Sequence, residues 1–120
     1  MSFDAASGPI DLAQVRRENA SPIVSFDRRE LSEILRVYGR MVAAGEWRDY
    51  AIDMRPDSAV FSIFRRSSEM PIFRVEKNPK LARRQGAYSV IAAGGLVMKR
   101  GADLAQVLRV FDRSLRVVSD

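Results

Sequence analysis

Phe26-Asp27-Arg28-Arg29-Glu30-Leu31-Ser32-Glu33-Ile34-Leu35-Arg36-Val37-Tyr38-Gly39-Arg40-Met41-Val42-Ala43-Ala44-Gly45-Glu46-Trp47-Arg48-Asp49-Tyr50-Ala51-Ile52-Asp53-Met54 is the stretch in which the chain changes its period. Asp27 is a good N-cap, and Glu30 stands three residues later, where a capping box places its acid. Phe26 and Leu31 occupy the two positions of a hydrophobic staple. Leu31, Ile34, Leu35, Tyr38, Met41 and Val42 recur at helical spacing, while Arg28, Arg29, Glu33, Arg36 and Arg40 take the other faces. Gly45 supplies the stop, so the pattern predicts a helix from roughly 28 to 44. After Trp47 the repeat falls to two. Tyr50, Ile52 and Met54 alternate with Asp49, Ala51 and Asp53, which predicts a strand with one apolar and one solvated face.

The same reading extends to the rest of the chain. Arg55-Pro56-Asp57-Ser58 is a turn, and Ala59 to Arg65 is dense enough in Val, Phe and Ile for a central strand. Arg66-Ser67-Ser68-Glu69 turns the chain again, and Ile72 to Lys77 makes a third strand with Pro71 at its start. Asn78-Pro79 then opens a loop or single helical turn, Lys80-Leu81-Ala82-Arg83-Arg84-Gln85-Gly86. Tyr88 to Ala92 and Leu96 to Lys99 read as two short strands joined at Ala93-Gly94-Gly95, with Gly101 ending the sheet. Asp103 starts a second helix whose stripe is Leu104, Val107, Leu108 and Phe111, with Leu115 to Val118 as a short extension.

The order helix, five strands, helix, with short connections, implies an α+β fold. It is a mainly antiparallel sheet of about five short strands, flanked by an N-terminal and a C-terminal helix that cover one face. Residues 1 to about 22 are rich in Ser, Ala, Asp, Gly and Pro and carry only scattered apolar positions, so residues 1–25 read as a flexible tail before a single domain at 26–120.

Phe26-Asp27-Arg28-Arg29-Glu30-Leu31, the block from Arg36 to Tyr50, and Lys80-Leu81-Ala82-Arg83-Arg84-Gln85-Gly86-Ala87-Tyr88 are distinctive. Through them, residues 26 to 113 resemble a family of small alphaproteobacterial proteins known only as a domain of unknown function. The resemblance implies a bacterial cytoplasmic protein. It brings no activity, ligand or site residue with it.

Composition narrows the chemistry. The chain has 120 residues with no cysteine and no histidine, so disulfides, thiolate or imidazole metal sites, and Ser-His-Asp or Cys-His catalysis are all excluded. Gly94-Gly95 and Gly101-Ala102-Asp103 lack the flanking pattern of a phosphate-binding or dinucleotide loop and are explained by turns. Glu46, Asp49, Asp53 and Asp57 suggest a carboxylate site at first sight, but Asp49 and Asp53 alternate outward from a strand whose apolar face is Tyr50, Ile52 and Met54, which fits a solvated face better. Neither a catalytic residue nor a cofactor or metal is expected, so the chain reads as a non-enzyme. Its opening, Met1-Ser2-Phe3-Asp4, lacks the features of a signal peptide, and no run of about 18 apolar residues occurs, so a cytoplasmic protein without membrane contact is expected.

Charge supplies the one functional candidate. Twenty basic residues against 15 acidic ones give a net charge of +5, a balance that favours a polyanionic partner. Between 77 and 100 stand Lys77, Lys80, Arg83, Arg84, Lys99 and Arg100 without a single Asp or Glu. The two ends of that window flank a predicted hairpin, so these six side chains could gather at one end of the sheet as an anion-binding or nucleic-acid-binding surface, with Arg65, Arg66 and Tyr88 beside it. Phe61, Phe64, Phe73 and Tyr88 could stack single-stranded bases if they faced outwards, although a domain of this size needs such residues in its core. The bland reading is a solvated loop with cations beside turns. The rival function is a protein-protein interaction module, possibly homodimeric, with incidental charge. In that reading Trp47 is either a core residue or an exposed anchor, and an unprotected sheet edge invites a partner.

Overall fold

The computed structural model describes residues 23–66 and 70–119, with the side chains described as far as Asp112. The tail expected over residues 1–25 lies outside the described residues as far as position 22. Helix α1 spans Arg28–Ala43, and strands β1 (Asp49–Met54), β2 (Ala59–Phe64), β3 (Phe73–Lys77), β4 (Tyr88–Ala92) and β5 (Val97–Gly101) follow it. Helix α2, Leu104–Ser119, closes the order. The strands lie in sequence order and every neighbouring pair is antiparallel. This is the α+β arrangement that the periodicities predict.

Asp27 accepts the Glu30 N–H at 2.8 Å, and the Glu30 carboxylate accepts the Asp27 N–H at 2.8 Å, so the capping box is complete. That satisfies two donors that the helix cannot satisfy within itself. Ile34 and Met41 are the buried residues of its apolar stripe. They meet a continuous cross-strand row in which Ile52 faces Phe61, Phe61 faces Val75 and Val75 faces Val90. Phe61, Val75 and Val90 have no exposed surface, and each such side chain contributes about 1.5 to 3 kcal/mol by leaving water. Leu104, Val107, Leu108 and Phe111 of α2 join the same cluster.

Both helices start at one end of the sheet. Glu30, in the first turn of α1, contacts Lys77 at the end of β3 and Tyr88 at the start of β4. Helix α2 begins just after Gly101, which pairs with Tyr88. At the opposite end Trp47 is 4% exposed and packs edge-on against Phe111 at 4.8 Å. The helices therefore run parallel to each other, and Trp47 belongs to the core.

The fifth strand differs from its sequence reading. It begins at Val97 rather than Leu96 and runs through Gly101, because the register shifts between Val90 and Ile91 and leaves Met98 unpaired. A bulge of this kind adds a residue to one strand, and local alternation does not announce it. The loop after β3 contains a 3₁₀ turn at Pro79–Leu81, and a second such turn, Ala93–Gly95, joins β4 to β5.

Candidate functional site

Of the six cations between 77 and 100, Lys77 serves the fold. Its ammonium donates to Glu30 Oε1 at 2.8 Å and to the Ser25 carbonyl at 2.9 Å, and its side chain is 19% exposed. Tyr88 donates its hydroxyl to the other carboxylate oxygen of Glu30. Burial first, and then this hydrogen bond, pushes the Tyr88 phenol well above its ordinary pKa. Glu30 is itself buried. The three groups form a closed internal network that ties α1 to β3 and β4, and the Lys77 charge is satisfied within it.

The other cations of the loop stand in water. Asn78 donates its N–H to the Ala87 carbonyl at 2.7 Å, and its side chain accepts from the Lys80 N–H at 3.2 Å, which closes the base of the loop. The Leu81 carbonyl accepts from Arg84, Gln85 and Gly86, winding residues 81–86 tightly. Gly86 is buried, with φ at +94°, and a β-carbon there would lie 2.1 Å from the Gly101 carbonyl carbon. Loop and strand end are thus in backbone contact. This contact brings Arg83 and Arg84, both exposed, to the end of β5 that carries Arg100. Lys80 pairs with Asp57 at 3.0 Å while both side chains stay largely exposed, an arrangement that contributes little to stability. Among the described residues, no carboxylate lies within ion-pair distance of Arg83, Arg84, Lys99 or Arg100.

Lys99 and Arg100 diverge. Arg100 faces Ser89 across the ladder, on the side away from the helices, and is half-buried. Lys99 is exposed on the helix side, in a groove with Met98 and with Gln106, Arg109 and Val110 of α2. Arg109 also lines a second groove, between the helices, with Arg36, Arg40, Glu33 and Asp112. There Arg40 of α1 pairs with Asp112 of α2, both half exposed. Sequence reasoning missed Arg36 and Arg109 as members of one basic surface, because they lie on separate helices and only the tertiary packing brings them together.

The aromatic side chains are placed for packing. Phe61 is fully buried, Phe73 packs on Trp47 and Phe111, and Tyr88 is engaged by Glu30. The more exposed Tyr50 stacks on Phe61 at 4.8 Å and lies on β1, at the opposite edge of the sheet from β5. Phe64 is half-buried, and Arg65 and Arg66 follow it at the end of the sheet remote from the loop at 79–87. Asp49 and Asp53 are exposed on β1, Asp53 in an open pair with Arg55 at 3.5 Å. Among the described residues, no group of three or more acidic, Cys or His side chains is arranged to hold a metal ion. No helix among them is long and apolar enough to cross a membrane.

The fold and its surface define a small α+β domain: a five-stranded meander under two parallel helices, with unneutralised cations around its last strand. The chain belongs to the family described as "Protein of unknown function (DUF2794)", which matches residues 24–108. The matched region runs from the lead-in to α1 as far as the second turn of α2, so it takes in the whole sheet. No curated protein and no solved structure matches the chain.

Proposed function

We propose that this domain is a non-enzymatic accessory or regulatory module that binds an anionic partner, nucleic acid, through Arg83, Arg84, Lys99 and Arg100. The observation that carries this reading is the contact of Gly86 on Gly101. It brings Arg83 and Arg84 beside the end of the edge strand β5, from which Lys99 and Arg100 extend to either side, with no carboxylate partner among the described residues. Arginine suits the task, because its planar fork binds phosphate oxygens in pairs. Lys77, satisfied by Glu30, is excluded from the binding set, and Lys80 contributes only as its loose pair with Asp57 opens.

The test is the salt dependence of binding to nucleic acid. For the wild type, log affinity should fall linearly with log salt, with a slope of about 0.7 to 0.9 per phosphate neutralised. Arg83→Ala/Arg84→Ala should flatten the slope and leave the melting temperature nearly unchanged. Wild-type protein that binds neither duplex nor single strand at low salt would end this reading. The protein-interaction reading would then lead, supported by the exposed apolar side chains of Met70, Leu96 and Val97, which are 84%, 68% and 43% exposed.

A further inference from the structure

Within that reading of the domain as a nucleic-acid binder, we infer that the partner is a duplex held by its phosphates, and that the contact runs from the end of β5 across the helix side through Lys99, Arg109 and Arg36. The two grooves on that side share Arg109 as a wall. One contains Met98, Lys99, Gln106, Arg109 and Val110, and the other contains Arg36, Arg109, the Arg40–Asp112 pair and Glu33. Together they set Lys99 of β5, Arg109 of α2 and Arg36 of α1 along one side of the domain, with Arg109 standing between the two grooves. Asp112 is neutralised by Arg40, which leaves Glu33 as the one uncompensated acid against three available cations. The two grooves therefore carry a net positive charge, and they are complementary to a phosphodiester backbone.

The form of the nucleic acid follows from where the aromatic rings are. Single strands are gripped by bases stacked on exposed rings beside a cationic groove. Here neither groove contains an aromatic residue. Phe61, Phe73 and Tyr50 lie on the sheet face that carries the helices, with the more exposed Tyr50 on the far edge, and the half-buried Phe64 lies on the opposite face, away from both grooves. A surface with guanidinium groups and no stacking platform favours regularly spaced phosphates over bases. Of its uncharged lining side chains only Gln106 carries hydrogen-bonding groups, so the contact is mainly to phosphates.

The experiment compares a short labelled duplex with a single strand of the same length and composition, across a salt series, for the wild type and three double variants. Wild-type protein should bind the duplex more tightly. Arg36→Ala/Arg109→Ala should lower the duplex salt slope by about 0.9 for each phosphate that is no longer neutralised. Arg28→Ala/Arg29→Ala, at the start of α1 where Asp27 and Glu33 share the surface with them, should keep the wild-type slope. A single strand bound as tightly as the duplex overturns the inference. So does an unchanged slope in Arg36→Ala/Arg109→Ala beside a lowered one in Arg83→Ala/Arg84→Ala, and that pattern leaves the proposed function standing. If the wild type binds neither form, the proposed function and this inference fall together.

Discussion

Glu30 performs two tasks with one carboxylate: it caps α1 locally and holds Lys77 and Tyr88 across the sheet. The first task is legible in the sequence, because a capping box is a spacing of three residues. The second is not. Lys77 is 47 positions away and Tyr88 is 58, and nothing local distinguishes a lysine that will be buried beside a glutamate from one that will face water. The sequence alone therefore groups Lys77 with the basic patch. Tyr88→Phe removes a hydrogen bond to a charged acceptor and should cost about 1.5 to 3 kcal/mol at neutral pH. The sign of its pH dependence follows from the raised pKa. An unfolded tyrosine titrates at about 10, so the contribution of the neutral phenol is complete below that pH and is lost as pH rises through the higher folded value. Urea unfolding at a series of alkaline pH values should show the gap between wild type and Tyr88→Phe narrowing above a pH of about 10. A gap constant to the highest pH reached would show that the phenol is not held as described.

At the scale of elements, α1, α2 and the first four strands are legible because cap, stripe and alternation agree at each. The bulge in β5 and the common direction of the helices are not, since both depend on how strands register against one another. The role of Gly86 is hidden for the same reason. In sequence it reads as an ordinary loop glycine, and only the fold puts Gly101 against it. Gly86 and Gly94 form a natural pair for separating two effects. Both have positive φ, +94° and +86°, but around Gly94 the space is open. Gly94→Ala should cost only the left-handed backbone, about 1 to 2 kcal/mol. Gly86→Ala should cost that plus about 1 to 3 kcal/mol of forced displacement between loop and strand. It should also weaken nucleic-acid binding as Arg83 and Arg84 move away from β5. Equal stability losses in denaturant titrations of the two variants would mean that the loop does not rest on Gly101.

Across the whole molecule, the single tryptophan marks the place where its layers are joined. Trp47 follows α1, packs on Phe111 of α2 at 4.8 Å and approaches Phe73 of β3 and Tyr38 of α1 at 6.1 Å each. The sequence leaves open whether this residue is core or an exposed anchor, because its position after Gly45 fixes a chain reversal and not what the reversal packs against. With the indole buried at this junction, neither helix can leave the sheet without exposing it. Unfolding should therefore be a single cooperative event, in which the red shift of tryptophan emission coincides with the loss of far-ultraviolet ellipticity. Phe111→Ala opens a cavity beside the indole and should cost about 3 to 5 kcal/mol. In a domain of this size that lowers the melting temperature by more than about 10 °C. Both signals should move together in the variant, since α2 is held by the same cluster that holds the sheet. If the emission changed in an earlier transition while most of the ellipticity remained, α2 would be a separable element, and the helix-side contact through Arg109 would lack the rigid support that keeps its cations in line.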